Sequence, residues 1–340
     1  MSRDDSIVEA IRNGDWALVE TEARCWSESP DAKPTAYFLL NVVHLLRGDF
    51  RKAWQMHEKS MQEPTDIEVV REWLEVIQSQ LPNSGAVSLV AGLFLAQSGQ
   101  SEQSVSCYET AVKLMPASPY PHFFLAQIYQ RMNRPEQAIT AYREAVKRDP
   151  SYVAARLNLG VLFQEQNRLE MAIPQYREVL KLYPDDALAH TNLACALAEQ
   201  GKIEAAILEY KKALEINPDD AEIHFALGGI YDQKGRKDLA KRKYDEALRL
   251  RPDFSPAATA IGWYLVEKGQ VDSALDYFSQ ALKVNPNDAS ATFGVGRVYD
   301  EKRKGSIAAE HYHRALQLES DPEKKTRIMN FIEKAGGYQA

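Results

Sequence analysis

The sequence predicts an all-α array of repeated antiparallel helix pairs, and three observations carry that prediction. First, Pro82, Pro116, Pro150, Pro184, Pro218, Pro252 and Pro286 stand 34 residues apart in one register, which chance placement of 16 prolines would almost never produce. Second, the stretch between two such prolines carries two helical stripes. In 187–220, His190, Leu193, Ala194 and Leu197 share one helix face, and Ala206, Tyr210 and Ala213 share another, because residues three and four apart lie on the same side of a helix. Third, each stripe ends at a helix stop: Gly201 suits the left-handed backbone that caps a first helix, and Pro218 cannot continue the second. The small residues Ala194, Ala206 and Ala213 let the two helices approach while bulky neighbours fill the gaps.

The same residue types recur as Leu125, Ala126, Tyr129, Ala138, Tyr142, Ala145, Pro150; as Leu159, Gly160, Phe163, Ala172, Tyr176, Pro184; and as Leu227, Gly228, Tyr231, Ala240, Tyr244, Ala247, Pro252. Two further copies are Ile261, Gly262, Leu265, Ala274, Phe278, Ala281, Pro286 and Val295, Gly296, Tyr299, Ala308, Tyr312, Ala315, the last with Ser320 in place of proline. An earlier copy has Gly92, Leu95, Tyr108, Ala111 and Pro116. This pattern resembles the tetratricopeptide (TPR) repeat. The resemblance implies a right-handed superhelical solenoid of antiparallel helix pairs, with the first helix of each pair lining a concave groove that binds protein.

Residues 1–81 are expected to form divergent TPR-like helices. One pair covers 6–33 with its turn at Gly14, and a second covers 35–62 with its turn at Gly48, where Tyr37, Leu40, His44, Ala53 and His57 fit the pattern but Asn41 and Ser60 are polar at small apolar positions. Gly99 comes 51 residues after Gly48, one repeat plus half of another, so a single extra helix is expected over about 66–80, with Val70, Leu74 and Ile77 inward. Large residues at those three positions predict a break in regularity near 64–85, and Pro82, Asn83 and Gly85 mark the boundary. Residues 82–322 read as seven regular repeats, with Gly99, Asn133, Asn167, Gly201, Gly235 and Gly269 at the inter-helix turn. Arg303 breaks that series, and Gly305 is expected to take over the turn. Residues 323–340 read as a capping helix and tail, with Ile328, Phe331 and Ile332 on one face to cover the last repeat.

Composition narrows the function classes. The 48 acidic and 41 basic residues give a net charge of −7, with no global basic excess of the kind that marks nucleic-acid binding. The amino-terminal stretch lacks a signal-peptide pattern and no run of 18 apolar residues occurs, so a cytoplasmic protein without a transmembrane segment is expected. Cys25, Cys107 and Cys195 are odd in number and far apart, which predicts buried free thiols rather than disulfides. His44, His57, His122, His190, His224, His311 and His313 fall mostly at packing positions, and no phosphate loop, nucleophile elbow or HExxH is present. Neither enzymatic activity, a metal nor a cofactor is expected. Gly294 and Gly296 lie inside a first helix, where small residues serve packing.

The resemblance assigns the groove to six positions of each first helix, and the residues there point to a peptide site. Tyr120, Phe123, Phe124, Phe225, Trp263 and Phe293 supply an aromatic floor; Gln127, Asn158, Asn192 and Arg297 add polar contacts; Glu199, Asp232 and Glu267 form an acidic edge. Such a groove suits an extended or helical peptide of basic or amphipathic character. No three successive repeats carry the lysine and asparagine set of a chaperone carboxylate clamp. Asn158 and Asn192 resemble the start of the asparagine ladder of O-linked N-acetylglucosamine transferase, whose amides hold a peptide backbone. A second patch, Lys234, Arg236, Lys237, Lys241, Arg242, Lys243, Arg249 and Arg251, is interrupted by Asp238, Asp245 and Glu246 and reads as a solvated outer face rather than a nucleic-acid site. The expected function is a scaffold or adaptor. A regulatory or substrate-recognition subunit of an enzyme complex, and self-assembly through the N-terminal helices, remain as alternatives.

Overall fold

A computed structural model describes residues 3–28, 34–60 and 67–336. Among these residues the structure consists of helices joined by short turns, with no strand. The chain divides into two units, 1–175 and 176–340. The first contains α1 (Arg3–Arg12), α2 (Trp16–Ser27), α3 (Pro34–Leu46), α4 (Phe50–Ser60), α5 (Ile67–Gln80), α6 (Gly85–Gln97), α7 (Ser101–Leu114), α8 (Tyr120–Arg131), α9 (Pro135–Arg148) and α10 (Val153–Glu165). α11 (Leu169–Leu182) spans the division. The second contains α12 (Ala187–Glu199), α13 (Ile203–Ile216), α14 (Ala221–Gln233), α15 (Lys237–Leu250), α16 (Ser255–Glu267), α17 (Val271–Val284), α18 (Ala289–Glu301), α19 (Gly305–Leu318) and α20 (Pro322–Gly336).

The hairpins form for local reasons. Asp186, Asp220 and Asp288, placed two residues after a repeat proline, accept hydrogen bonds from the backbone N–H of Ala189, Ile223 and Ala291 at 2.8, 3.1 and 3.0 Å, capping the helices they precede. At the inter-helix turns Gly99, Asn133, Asn167, Gly201, Gly235 and Gly269 all have positive φ. Arg303 does too, at φ 58°, while Gly305 begins α19. The expected transfer of the turn to Gly305 is therefore corrected: the flanking helices hold Arg303 itself in the left-handed conformation, despite its Cβ.

Packing within a hairpin pairs a small residue with a ring. A Cβ at Gly228 would lie 2.6 Å from the Tyr244 ring, at Gly262 2.5 Å from Phe278, and at Gly296 2.5 Å from Tyr312, so these glycines mark the closest helix approach. Tyr108, Tyr142, Tyr176, Phe278 and Tyr312, at the ring position, are among the largest fully buried side chains.

The first unit departs from this regularity. α3 packs on α6 as one first helix on the next, and α5 packs on α1, α3 and α6 through buried Val70, Trp73, Leu74 and Ile77. Asp66, at the expected start of this helix, and residues 29–33 and 61–62 of the two expected pairs lie outside the described residues. At the other end of the chain α20 packs on α19, and Ile328, Phe331 and Ile332 join Phe293, Ala308, Tyr312 and Ala315 in one apolar cluster.

Candidate functional site

The second unit contains a cleft of about 640 Å3 that brings together five of the residues singled out from the sequence: Phe225, Asp232, Trp263, Glu267 and Phe293. All five lie on α14, α16 and α18, the first helices of successive repeats. Phe225 and Trp263 are half-buried and present ring surface. Phe293 is 7% exposed. Its ring is enclosed by Trp263 at 5.6 Å, Tyr312 at 5.3 Å and Phe331 of α20 at 5.3 Å, so its assignment to an open groove floor is corrected. Trp263 is oriented by its indole N–H, which donates to Ser290 Oγ at 3.0 Å. Asp288 supports the same wall: one carboxylate oxygen caps α18 and the other accepts the Thr259 hydroxyl at 2.9 Å.

The acidic edge is more nearly neutral than the sequence suggests. Lys237 bridges Asp232 at 2.8 Å and Glu267 at 3.1 Å, and its pKa is raised, chiefly by the hydrogen bond to Asp232. It thus lies at the cleft and not on the outer face assigned to it: as the first residue of α15 it reaches back across the turn to the end of α14. α20 adds Lys324 and Arg327, both exposed, and Ile328 to the lining of the cleft. Arg297 is outside this cleft; it pairs with Asp300 at 3.6 Å and Glu301 at 3.3 Å and covers the Phe331 ring. Asn192 is half-buried and Glu199 exposed, and neither lines the cleft.

The remaining predicted residues lie in the first unit, where the chain covers its own groove. Phe123 and Phe124 are 4% and 6% exposed. Phe50 of α4 stacks on Tyr120 with ring centroids 4.3 Å apart, and Trp54 lies 5.6 Å from Phe124. These α8 aromatics are therefore not an open floor: α4 lies over them. Gln127 and Asn158 line a neighbouring cavity of about 410 Å3 with His57, Tyr108 and Tyr142, and Asn158 donates to the Tyr142 hydroxyl at 3.1 Å. The role of α4 escaped the sequence reading, although Phe50, Trp54 and His57, spaced four and three apart, form an aromatic stripe.

Other predicted features also take definite places. His190 and His224 bring Nε2 to the carbonyl oxygens of Pro184 and Pro218 at 2.9 and 3.0 Å, and Arg156, Gln280 and Arg314 donate to those of Pro150, Pro252 and Pro286. The histidines thus belong to a recurring device that occupies the carbonyl of the helix-stopping proline. The basic patch is largely ion-paired: Lys241 with Asp245, Arg249 with Glu246, Arg251 with Glu222 and Lys234 with Glu204. Cys25 is exposed and Cys107 and Cys195 are half-buried, so the thiols are free but not the fully buried set expected. Cys195 lies 2.8 Å from the Tyr210 hydroxyl, and burial raises its pKa away from thiolate reactivity. Among the described residues no helix is long and apolar enough to cross a membrane.

Helix pairs at a 34-residue interval, each closing a small residue on a ring, define a helical-repeat protein. Tetratricopeptide repeat patterns match residues 123–187, 175–207, 195–235, 221–254 and 259–324. The chain belongs to the tetratricopeptide repeat family, whose members are protein-interaction scaffolds. A tetratricopeptide repeat protein from Parabacteroides merdae is 15% identical and covers 73% of this chain and 98% of its own, with a TM-score of 0.59. The Cut9–Hcn1 hetero-tetramer of the APC/C supplies a chain 17% identical that covers 97% of this chain and 68% of its own, with a TM-score of 0.57. PilF of Pseudomonas aeruginosa is 22% identical and covers 61% of this chain and 94% of its own, with a TM-score of 0.52. At these identities the likeness is one of fold. No curated protein matches the sequence.

Proposed function

We propose that the protein is a non-enzymatic scaffold that holds a partner peptide in the cleft of its second unit, with an apolar or aromatic side chain on Phe225 and Trp263. The observation that carries this reading is the convergence of two half-buried rings with ionic groups in the lining of one cleft: Asp232, Lys237 and Glu267, joined by ion pairs, and Lys324 and Arg327 of α20. Rings supply contact area at low conformational cost, and the charges set orientation and register. Because Lys237 neutralises much of the acidic edge, a peptide of mixed charge fits better than a purely basic one.

The test is a photo-reactive phenylalanine analogue placed at Trp263 or, as control, at Leu208, an exposed residue of α13 (55% exposed), in the full chain in its native cell. Crosslinks to a protein partner at 263 and not at 208 are expected. Equal yields at both positions, or none at 263, would remove the cleft as the interface.

A further inference from the structure

The hairpin of α3 and α4 breaks the repeat's packing rule at its tightest point. In regular hairpins Gly228, Gly262 and Gly296 stand seven residues before the inter-helix turn and meet Tyr244, Phe278 and Tyr312, nine residues after it. About the Gly48 turn those two places belong to Asn41 and His57. Asn41 is 2% exposed, and its Oδ1 has no hydrogen-bond partner among the protein's own groups. An unmet buried acceptor is destabilising, and departures of this kind from a fold's own local rules concentrate at functional sites.

Asn41 lies in the wall of a cavity of about 480 Å3 between α3, α4, α6, α8 and the start of α10. The rings of Phe50, Trp54, Tyr120, Phe123, Phe124 and Tyr152 share that wall. The volume falls in the range of small-molecule pockets and far exceeds the room that one water needs. The charged residues of the lining, Arg51 and Glu58, are both exposed. Burial pushes the pKa of His57 from 6.5 to about 4, so this side chain is neutral near pH 7. The interior therefore offers ring surface and an unmet acceptor, with no buried charge to meet a charged ligand.

We propose that this cavity binds a small, uncharged aromatic alcohol of the phenol class, its hydroxyl donating to Asn41 Oδ1 and its ring lying among the aromatic walls. The walls already pair in the stacked and edge-on arrangements that an aromatic guest takes up: Phe50 stacks on Tyr120 at 4.3 Å, and Phe123 meets Phe124 edge-on at 5.4 Å. The hydroxyl supplies specificity, because a guest of the same shape without a donor leaves Asn41 unpaired. α4 stays in place as one wall, packed on α3 as its hairpin partner. The site lies wholly within the first unit and shares no residue with the cleft of the second, so it stands or falls apart from the peptide reading.

The probes are naphthol, its methyl ether and naphthoate, titrated calorimetrically into the full chain. Naphthol should bind at one site, at least tenfold more tightly than the ether, which has no donor, or naphthoate, which carries a charge. Asn41→Ala restores the kind of small residue that Ala126 and Ala194 supply in the regular repeats. This variant should lose at least tenfold in affinity for naphthol and bind the ether as wild type does. Absence of naphthol binding to wild type, equal affinity for naphthol and ether, or equal losses for both probes in Asn41→Ala each overturn the proposal. Should the variant not fold, the comparison of naphthol with its ether in the wild-type chain still decides.

Discussion

Lys237 lies 2.8 Å from the carboxylate of Asp232 and 3.1 Å from that of Glu267, so two acidic groups of the cleft share one ammonium. All three side chains are substantially solvent-exposed, so the bridge contributes under about 1 kcal/mol. Lys237→Gln leaves the two carboxylates, each formerly within hydrogen-bond reach of the same atom, to repel one another. The variant should be less stable than wild type in 50 mM salt and nearly equal to it in 500 mM, where the repulsion is screened. Because the Lys237 pKa is raised from 10.5, the bridge's contribution is complete at neutral pH and is lost as pH climbs through the shifted value. A destabilisation independent of salt in urea titrations would show that Lys237 acts through packing instead.

The contact between Gly296 and Tyr312 sets a second expectation. A Cβ at 296 would lie 2.5 Å from the Tyr312 ring and 3.3 Å from the Ala308 carbonyl oxygen, and a fully buried ring on a neighbouring helix has little room to retreat. Gly296→Val should cost roughly 1–3 kcal/mol through overpacking, against a gain of under about 1 kcal/mol from helix propensity. Tyr312→Ala in the same chain should relieve part of that cost, so the double variant is less destabilised than the sum of the singles. Additive losses of thermal stability would contradict the contact.

Arg303 bears the left-handed conformation that glycine bears at Gly201, Gly235 and Gly269. Arg303→Gly removes the steric penalty of the Cβ at positive φ, roughly 1–2 kcal/mol, and adds unfolded-state entropy of about 1 kcal/mol or less. A net stabilisation of about 0.5–1 kcal/mol is expected in chemical denaturation. Arg303→Val should move the other way, because branching at Cβ makes the conformation harder still.

The features legible in the sequence are those that one 34-residue period dictates. Proline register, the small residue opposed to a ring and the glycine or asparagine turn are local demands, and they locate the helices through the regular repeats. Phe225, Asp232, Trp263 and Glu267 could be grouped because the period alone places them on successive first helices. The path of α4 over α8 was not legible, since Phe50 and Trp54 meet Tyr120 and Phe124 across 70 residues, and no repeat rule links positions two pairs apart. Lys237 was misassigned for a related reason. Its Cα belongs to an outer helix, but a side chain several bonds long reaches the cleft, and periodicity describes only the Cα. Phe293 was misread because α20, which encloses it, stands outside the repeat.

His57 ties α4 to pH. Its ring lies 5.3 Å from that of Trp54, and burial pushes its pKa from 6.5 down to about 4, opposed only in small part by the nearby Glu58. A histidine held neutral in the folded state stabilises above its unfolded pKa. As pH falls below about 6.5 the unfolded chain takes up the proton first, and stability drops until the folded state is also protonated near pH 4. The loss over that interval is about 3.5 kcal/mol at most, from roughly 1.4 kcal/mol per pKa unit. Since His44, His122 and His311 are also lowered by burial, the wild-type profile contains their contributions too. His57→Gln isolates the one on α4: the difference between wild type and variant should widen in favour of the variant from pH 7 to pH 4.5, accompanied by a fluorescence change that Trp54→Phe abolishes. Parallel pH profiles for wild type and His57→Gln would mean that α4 releases His57 to water before the rest of the chain unfolds.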